Sequence, residues 1–104
     1  MSSEKLIDLE KRLSRICIQM LPRLKVEQII NESDFEQLFI CLDDLKEYMH
    51  QKTDIPRSLV SKLFLLYFSV NKALSFIPTS EQTNEVYSRL TIGLAAIFDD
   101  NYLS

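Results

Sequence analysis

With 104 residues, the chain has room for one domain around one hydrophobic core, which we place at residues 1–104. A composition of 46% apolar and 26% charged residues is typical of a folded protein and excludes an intrinsically disordered chain. The net charge is −3, and no segment is basic enough to bind nucleic acid through counterion release.

The charge is distributed unevenly along the chain. Residues 31–55 contain seven acidic and two basic residues, whereas residues 56–78 contain three basic residues and no acidic one. Residues 1–30 have two more basic than acidic groups, and residues 79–104 have three more acidic than basic groups. On the outer faces of the first predicted helix, basic and acidic residues are mixed, and such a mixture is usually a solvated surface.

The first residues lack the basic start and apolar run of a signal peptide, and Ser2 stands where myristoylation requires glycine. We therefore expect a cytoplasmic protein. Cys17 and Cys41 lie in predicted helices and do not form a CxxC pair. In a reducing compartment, two buried thiols are a better interpretation than a disulfide or a metal site.

The first predicted helix starts near Ser2 or Ser3 and runs to about Met20. Its apolar residues recur at heptad spacing and predict one buried seam: Leu6, Leu9, Leu13, Ile16 and Met20. Pro22 interrupts this pattern, because a continued seam would turn charged residues inward. Residues 23–30 form either a separate short helix or a connection anchored by apolar side chains, and the sequence leaves that choice open.

Ser33 and Glu36 have the spacing of a capping box, which predicts the start of a second helix that runs to about Gln51. Its predicted seam consists of Phe35, Leu38, Leu42, Leu45 and Met49. Asp43 and Asp44 make the outer face acidic. Adjacent side chains diverge by about 100° around a helix. We therefore interpret these carboxylates as solvated surface and not as an acid–base or metal site.

The third predicted helix, residues 56–77, is the central element of the chain. One apolar stripe runs along it: Leu59, Leu63, Leu66, Val70, Ala73 and Ile77. Phe64 and Phe68 flank this stripe with Tyr67 between them, so the helix is apolar over most of its circumference. We expect the seams of the first two helices to bury this flank. Left uncovered, it would be an aromatic patch of the kind that binds partners.

Thr79 is the predicted cap of the last helix, residues 80–98, whose seam consists of Val86, Leu90, Leu94 and Ile97. Gly93, Ala95 and Ala96 make its second half thin and permit close approach to a neighbouring backbone. The links between the last three helices are short and predict antiparallel neighbours. The expected fold is an all-α, antiparallel four-helix bundle.

The sequence contains no GxGxxG, P-loop, HExxH or CxxC motif. His50 is its single histidine and has no second His or Cys at ligand spacing. The predicted core positions are aliphatic or aromatic. We therefore expect no catalytic residue, metal site or cofactor, and we predict that the protein is not an enzyme.

The second half of the chain resembles a known family. The segments that show this are Gln51-Lys52-Thr53-Asp54-Ile55-Pro56, Leu59-Val60-Ser61-Lys62-Leu63-Phe64-Leu65-Leu66-Tyr67, Asn71-Lys72-Ala73-Leu74 and Thr79-Ser80-Glu81. The last of these opens a helix that ends near a terminal tyrosine. This order is similar to that of the immunity proteins of class IIa (pediocin-like) bacteriocins, the enterocin A immunity family. The match covers residues 51–104, whereas residues 4–50 correspond only in helix lengths and apolar spacing.

The resemblance implies a cytoplasmic antiparallel four-helix bundle that protects a bacterium from a bacteriocin. In that family the toxin opens a leak in the membrane part of the mannose phosphotransferase system. The immunity protein binds the toxin-engaged permease from the cytoplasmic side and blocks the leak. Many relatives are basic and have a longer tail, whereas this chain is acidic. The acidic charge favours a protein target over anionic lipid, so we expect membrane contact to be peripheral at most.

The resemblance also places specificity in the C-terminal half. The candidate partner-binding residues are Phe76, Thr79, Glu81, Asp99, Asp100, Tyr102 and Leu103. The last two lie beyond the final seam residue, so the core does not need them and a partner can use them. The opposing interpretation is that Tyr102 folds back over the end of the bundle. The alternative function is a small helical interaction module, such as an adaptor, an antitoxin or an anti-defence regulator.

Overall fold

The computed structural model describes residues 4–50, 52 and 54–98, which form four α-helices and no strand. The helices are α1 (Glu4–Pro22), α2 (Glu32–Met49), α3 (Arg57–Leu74) and α4 (Glu81–Phe98). All of them contribute side chains to one hydrophobic core. The predicted all-α, four-helix fold is confirmed.

The predicted seams form this core. The buried apolar residues are Leu6, Leu9, Leu13, Ile16, Met20, Leu24, Phe35, Leu38, Cys41, Leu42, Leu45, Met49, Leu59, Leu63, Leu66, Val70, Ala73, Val86, Leu90, Leu94 and Ile97. Residues three and four apart lie on one face of a helix, so each seam turns a single side toward the other helices. Ile77, which was predicted to end the stripe of α3, lies beyond that helix and is only half-buried.

Helices that follow one another in the chain run in opposite directions. Arg12 of α1 pairs with Asp44 of α2, whereas Arg23, further along the chain, pairs with Asp34 near the start of α2. The contacts therefore run in opposite order along the two elements, as in an antiparallel pair. α3 and α4 are antiparallel as well, since the first half of α3 contacts the end of α4.

The order of the helices around the bundle differs from their order in the chain. α1 packs beside α2 and α3, and α4 packs beside the same two helices. α2 and α4 run parallel, because Glu36 pairs with Arg89 and Leu42 faces Gly93 further along both helices. Within the described residues, the backbones of α2 and α3 do not come into contact. These two helices therefore occupy diagonally opposite corners.

The expectation that a short link makes α2 and α3 neighbours was wrong. Seven residues separate Met49 from Arg57, and an extended chain of that length reaches about 23 Å. Helix axes 8–10 Å apart around a square place diagonal partners only about 13 Å from each other. A link of this length therefore reaches a diagonal corner as easily as an adjacent one.

The segment after α1 is neither a separate helix nor an irregular connection. Arg23–Glu27 continues α1 as a wider π-helical turn. Pro22 has no N–H to donate to the preceding turn, and π turns occur where the regular hydrogen-bond ladder is interrupted. The wider turn buries Leu24 in the core and leaves Val26 exposed. It ends at Gln28, which adopts the left-handed conformation with φ 57°.

The start of α2 lies one residue before the predicted cap. Its cap is Asn31, whose Oδ1 accepts a hydrogen bond of 2.9 Å from the N–H of Asp34. Ser33, the predicted cap, lies inside the helix. Asn and Ser are about equally good caps, and both have an acidic residue three positions later. Both residues could therefore cap the helix, and in the structure the earlier one, Asn31, does so.

Ser80, and not Thr79, caps α4. The Ser80 Oγ accepts a hydrogen bond of 3.2 Å from the N–H of Thr83, and the Thr83 Oγ1 accepts one of 2.8 Å from the N–H of Ser80. This reciprocal pair satisfies two backbone donors at the helix start. It also explains why a polar residue, Thr83, is buried in line with the apolar seam.

We expect Leu66→Ala to lower the free energy of unfolding by about 2–5 kcal/mol, because the truncation leaves a cavity in a packed core. Leu66 is 1% exposed, whereas the adjacent Leu65 is 64% exposed. Leu65→Ala is therefore the matched control and should change stability by less than about 0.5 kcal/mol. Urea unfolding followed by circular dichroism measures both. A loss below about 1 kcal/mol for Leu66→Ala would contradict the arrangement of the core.

Candidate interaction surfaces

All exposed aromatic side chains among the described residues lie on the hairpin formed by α3, the following turn and α4. They are Phe64, Phe68, Phe76, Tyr87 and Phe98. In the first half of the described chain, Phe35 is buried, and Phe39 and Tyr48 pack partly buried against the core. Large apolar side chains concentrated on one element are typical of a surface that binds a partner.

Phe64, Leu65, Phe68 and Phe98 form a continuous exposed strip, here called the aromatic ridge. The Phe64 ring lies between two others, with its centroid 6.2 Å from that of Phe68 and 5.8 Å from that of Phe98. Phe64 is 51% exposed and Phe68 is 64% exposed. The expectation that the first two helices bury this flank was wrong. At a corner of the bundle α3 packs beside α1, its π-helical extension and α4, so no other described helix covers its outer side.

The ridge has a cation toward each end of α3. Arg57 lies two turns before Phe64 and Lys72 lies one turn after Phe68, so both share the outward face of the helix. Both are exposed, and neither forms an ion pair with a described residue. α3 contains no acidic residue. Its third cation, Lys62, faces α1, where its Nζ lies 3.9 Å from Glu10.

A groove of about 370 Å³ separates the outer sides of α2 and α4. Leu42 and Gly93 lie at its floor, and a Cβ added to Gly93 would lie 3.4 Å from the Leu42 Cδ1. The predicted close approach of α4 to a neighbouring backbone is therefore present, and the neighbour is α2. Ile40 and Ile92 line the walls and are exposed. The groove can hold an apolar side chain.

The charges at this groove are paired within the protein. The Arg89 guanidinium lies 4.2 Å from the Phe39 ring centroid, and its Nη1 lies 3.6 Å from Glu36 and 3.9 Å from Glu85. Cation–π contact and ion pairing together hold this side chain across one end of the groove. A charged ligand could bind in this groove only if it displaced these ion pairs.

The acidic face of α2 is partly neutralised. Asp44, predicted to be solvated surface, lies 2.7 Å from Arg12 of α1, and this hydrogen bond raises the pKa of the Arg12 guanidinium. Asp43 pairs with Lys46 on the same helix at 3.3 Å. Both pairs are exposed enough that each contributes at most about 1 kcal/mol. Of the two, only the Arg12–Asp44 pair joins α1 to α2 and helps to hold their outer surfaces in register.

Asp34 is a buried carboxylate that the sequence did not single out. It accepts hydrogen bonds of 3.3 Å from both Gln19 and Arg23, so it joins α2 to the π-helical turn. A buried charge needs such partners, because leaving it unpaired costs several kcal/mol, of order 3–5. All of its partners come from this chain, and we assign it a structural role. In the sequence, the feature that could have identified Asp34 is its position three residues after the cap Asn31.

The candidate residues of the α3–α4 link are accessible. Phe76 is 65% exposed in the turn after α3, and Thr79 and Glu81 are exposed beside it. The other predicted contact residues, Asp99, Asp100, Tyr102 and Leu103, lie outside the described residues. Their role stays a prediction.

Within residues 4–50, 52 and 54–98, no group of three or more His, Cys, Asp or Glu side chains is placed to hold a metal ion. In the same part of the chain, no helix has the length and apolar content needed to cross a bilayer.

Comparison of the chain with known protein families gives no match, and neither does comparison with curated proteins or with solved structures. The resemblance of residues 51–104 to pediocin-like immunity proteins is therefore a proposal. The physical basis for a function is the pair of surfaces described above.

Both cysteine thiols should react slowly in the folded protein. Burial raises the pKa of the Cys17 thiol to about 11, and burial also raises the pKa of Cys41. The thiolate is the reactive form. We therefore expect a disulfide reagent to label the folded protein slowly at about pH 8 and faster as the pH rises toward 11. The unfolded chain, whose thiols have a pKa near 8.5, should react fast already at about pH 8.

Cys17→Ala and Cys41→Ala, made singly, assign each labelling rate to its thiol. If the folded protein reacted as fast as the chain in denaturant, the two thiols would not be protected by burial. The prediction would then be contradicted.

Proposed function

We propose that this protein is a non-enzymatic, cytoplasmic immunity protein against a pediocin-like bacteriocin. In this proposal it binds the toxin-engaged mannose phosphotransferase permease and blocks the leak. The observation that supports it best is the concentration of exposed aromatic side chains on residues 57–98. The sequence resemblance places specificity in the same half of the chain.

A blocking protein needs a rigid body and an apolar surface that a partner can cover. The rigid body is the packed core, in which side chains from all four helices are almost fully buried. The surface is the α3–α4 hairpin. Exposed aromatic residues supply large contact area at a small cost in side-chain entropy, which is why they dominate the binding energy of many interfaces.

Within the hairpin, Phe76 is the best candidate for recognition. It lies in the turn that joins α3 to α4, projects 65% of its surface to solvent, and is not part of the core. Thr79 and Glu81 supply polar groups next to it. An aromatic residue with a polar rim is the usual composition of an interface centre.

The alternative is a small helical interaction module with a different target. The groove between α2 and α4 favours this alternative, because its apolar floor at Gly93 can accept a side chain from any suitable helix. Dependence of binding on both the permease and the toxin separates the two functions.

Expression of the protein in a bacteriocin-sensitive host, followed by challenge with several pediocin-like peptides, tests the proposal. We expect protection against at least one peptide and an inhibitory concentration at least about tenfold lower for Phe76→Ser, as for loss of an interface anchor. Ile18→Ser is the matched control, because Ile18 is 75% exposed on α1. Absence of protection at verified expression levels, or equal effects of the two substitutions, would contradict the proposal.

Removal of residues 101–104 tests the contact role of the tail, including Tyr102 and Leu103. We expect protection to be lost while the melting temperature stays unchanged, because the tail lies beyond the last core residue of α4, Ile97. Thermal unfolding followed by circular dichroism provides the second measurement. A melting temperature lowered by several degrees would show that the tail is part of the fold. Full protection at an unchanged melting temperature would show that the tail does not contact the target.

A further inference from the structure

We propose that the aromatic ridge binds the surface of an anionic lipid bilayer. Phe64, Leu65 and Phe68 enter the headgroup region, and Arg57 and Lys72 contact lipid phosphates. This inference goes beyond the proposed function and does not depend on it, because lipid binding requires neither the toxin nor the permease. It differs from the expectation, based on the acidic net charge, that a protein target is favoured over anionic lipid.

The shape of the ridge suits a lipid surface. The ridge side chains project outward, whereas grooves of about 370, 260 and 220 Å³ lie between α2 and α4 and between α1 and α2. A protein partner would need a cavity that matches this projection. A bilayer interface accommodates a projecting row of aromatic and aliphatic side chains without one, as it does with amphipathic helices that lie in its plane.

The size and charge of the ridge disfavour a second copy of the chain as its partner. With about 200 Å² for each large side chain, the exposed fractions of the four ridge residues amount to about 400 Å². A stable protein pair buries about 800 Å² on each side. Two copies joined through the ridge would also bring α3 against α3. Arg57 and Lys72 would then face like charges, which opposes association.

The tertiary arrangement separates charge across the bundle. α2 contains six acidic residues and one basic residue, whereas α3 contains three basic residues and no acidic one. These two helices occupy diagonally opposite corners. Near an anionic surface the α3 corner is attracted and the α2 corner is repelled, so the field turns the ridge toward the lipid although the net charge is −3.

Among the described residues, Glu10 of α1 and the acidic residues of α4 do not cancel this effect. Glu10 of α1 accepts a hydrogen bond of 3.0 Å from Ser58 and lies 3.9 Å from Lys62, so its charge is already paired beside α3. The acidic residues of α4, Glu81 and Glu85, lie in its first half, whereas the ridge residue of α4 is Phe98 at its end. The described part of the ridge therefore has an apolar centre and a basic border.

Vesicle flotation tests the proposal. We expect the protein to bind vesicles of equal parts phosphatidylglycerol and phosphatidylcholine, to bind pure phosphatidylcholine far less, and to dissociate as salt rises. Phe64→Ser/Phe68→Ser should weaken binding on the order of tenfold, whereas Ile18→Ser should not change it. If the double variant melts early, Phe68→Ser alone provides the same comparison.

A second pair of variants tests the basic border. Arg57→Gln/Lys72→Gln should abolish the preference for phosphatidylglycerol, whereas Lys11→Gln/Lys25→Gln makes the same change of net charge on other exposed sites and should retain it. Wild-type binding by Phe64→Ser/Phe68→Ser or by Arg57→Gln/Lys72→Gln would overturn the proposal.

Two further results would also overturn it. The first is the absence of binding to either kind of vesicle. The second is a concentration-dependent dimer, seen by light scattering and lost in Phe64→Ser/Phe68→Ser, which would assign the ridge to a second copy. These measurements contain no toxin and no permease, so their failure is distinct from a failure of protection.

Discussion

The close approach of α4 to α2 is the contact on which the surface of this protein depends. Gly93 lies at this contact, where a Cβ would touch Leu42 at 3.4 Å, so the site has room for a small side chain and no more. With α4 beside α2, and α1 beside both α2 and α3, the corner that remains for α3 is diagonal to α2. The most apolar helix thus packs beside two of the other helices, and no other described helix covers its outer side. Packing at the centre of the bundle therefore determines which side chains a partner meets.

The same arrangement determines the electrostatics. Helices of opposite net charge next to each other would pair many of their groups and leave a mixed surface. Here the backbones of the acidic α2 and the basic α3 do not come into contact. α2 uses Asp44 and Asp34 to hold α1 and the π-helical turn, whereas Lys62 is the only residue of α3 that forms an ion pair among the described residues. The cations at the border of the ridge stay available, and the protein has a charge asymmetry that its small net charge conceals.

The α3–α4 hairpin thus combines two kinds of exposed apolar surface. The ridge extends along the helices, and Phe76 lies in the turn at their other end. In the proposed functions these surfaces face different partners, lipid along the side and a membrane protein at the tip. A protein that meets its target at a membrane benefits from both, because binding to the surface restricts its search to two dimensions and raises its local concentration.

The sequence by itself determined which face of each helix is buried, because residues three and four apart must share a side. Apart from Ile77, it predicted the seams of all four helices, and it predicted the thin half of α4. Local competition decided the caps, since Asn31 and Ser80 each lie within two residues of another suitable cap. Only the tertiary structure decided which helices are neighbours, because the link before α3 reaches an adjacent or a diagonal corner equally well. The exposure of Phe64 and Phe68 follows from that choice: periodicity shows that a side is apolar, but only the positions of the other helices decide whether it is covered.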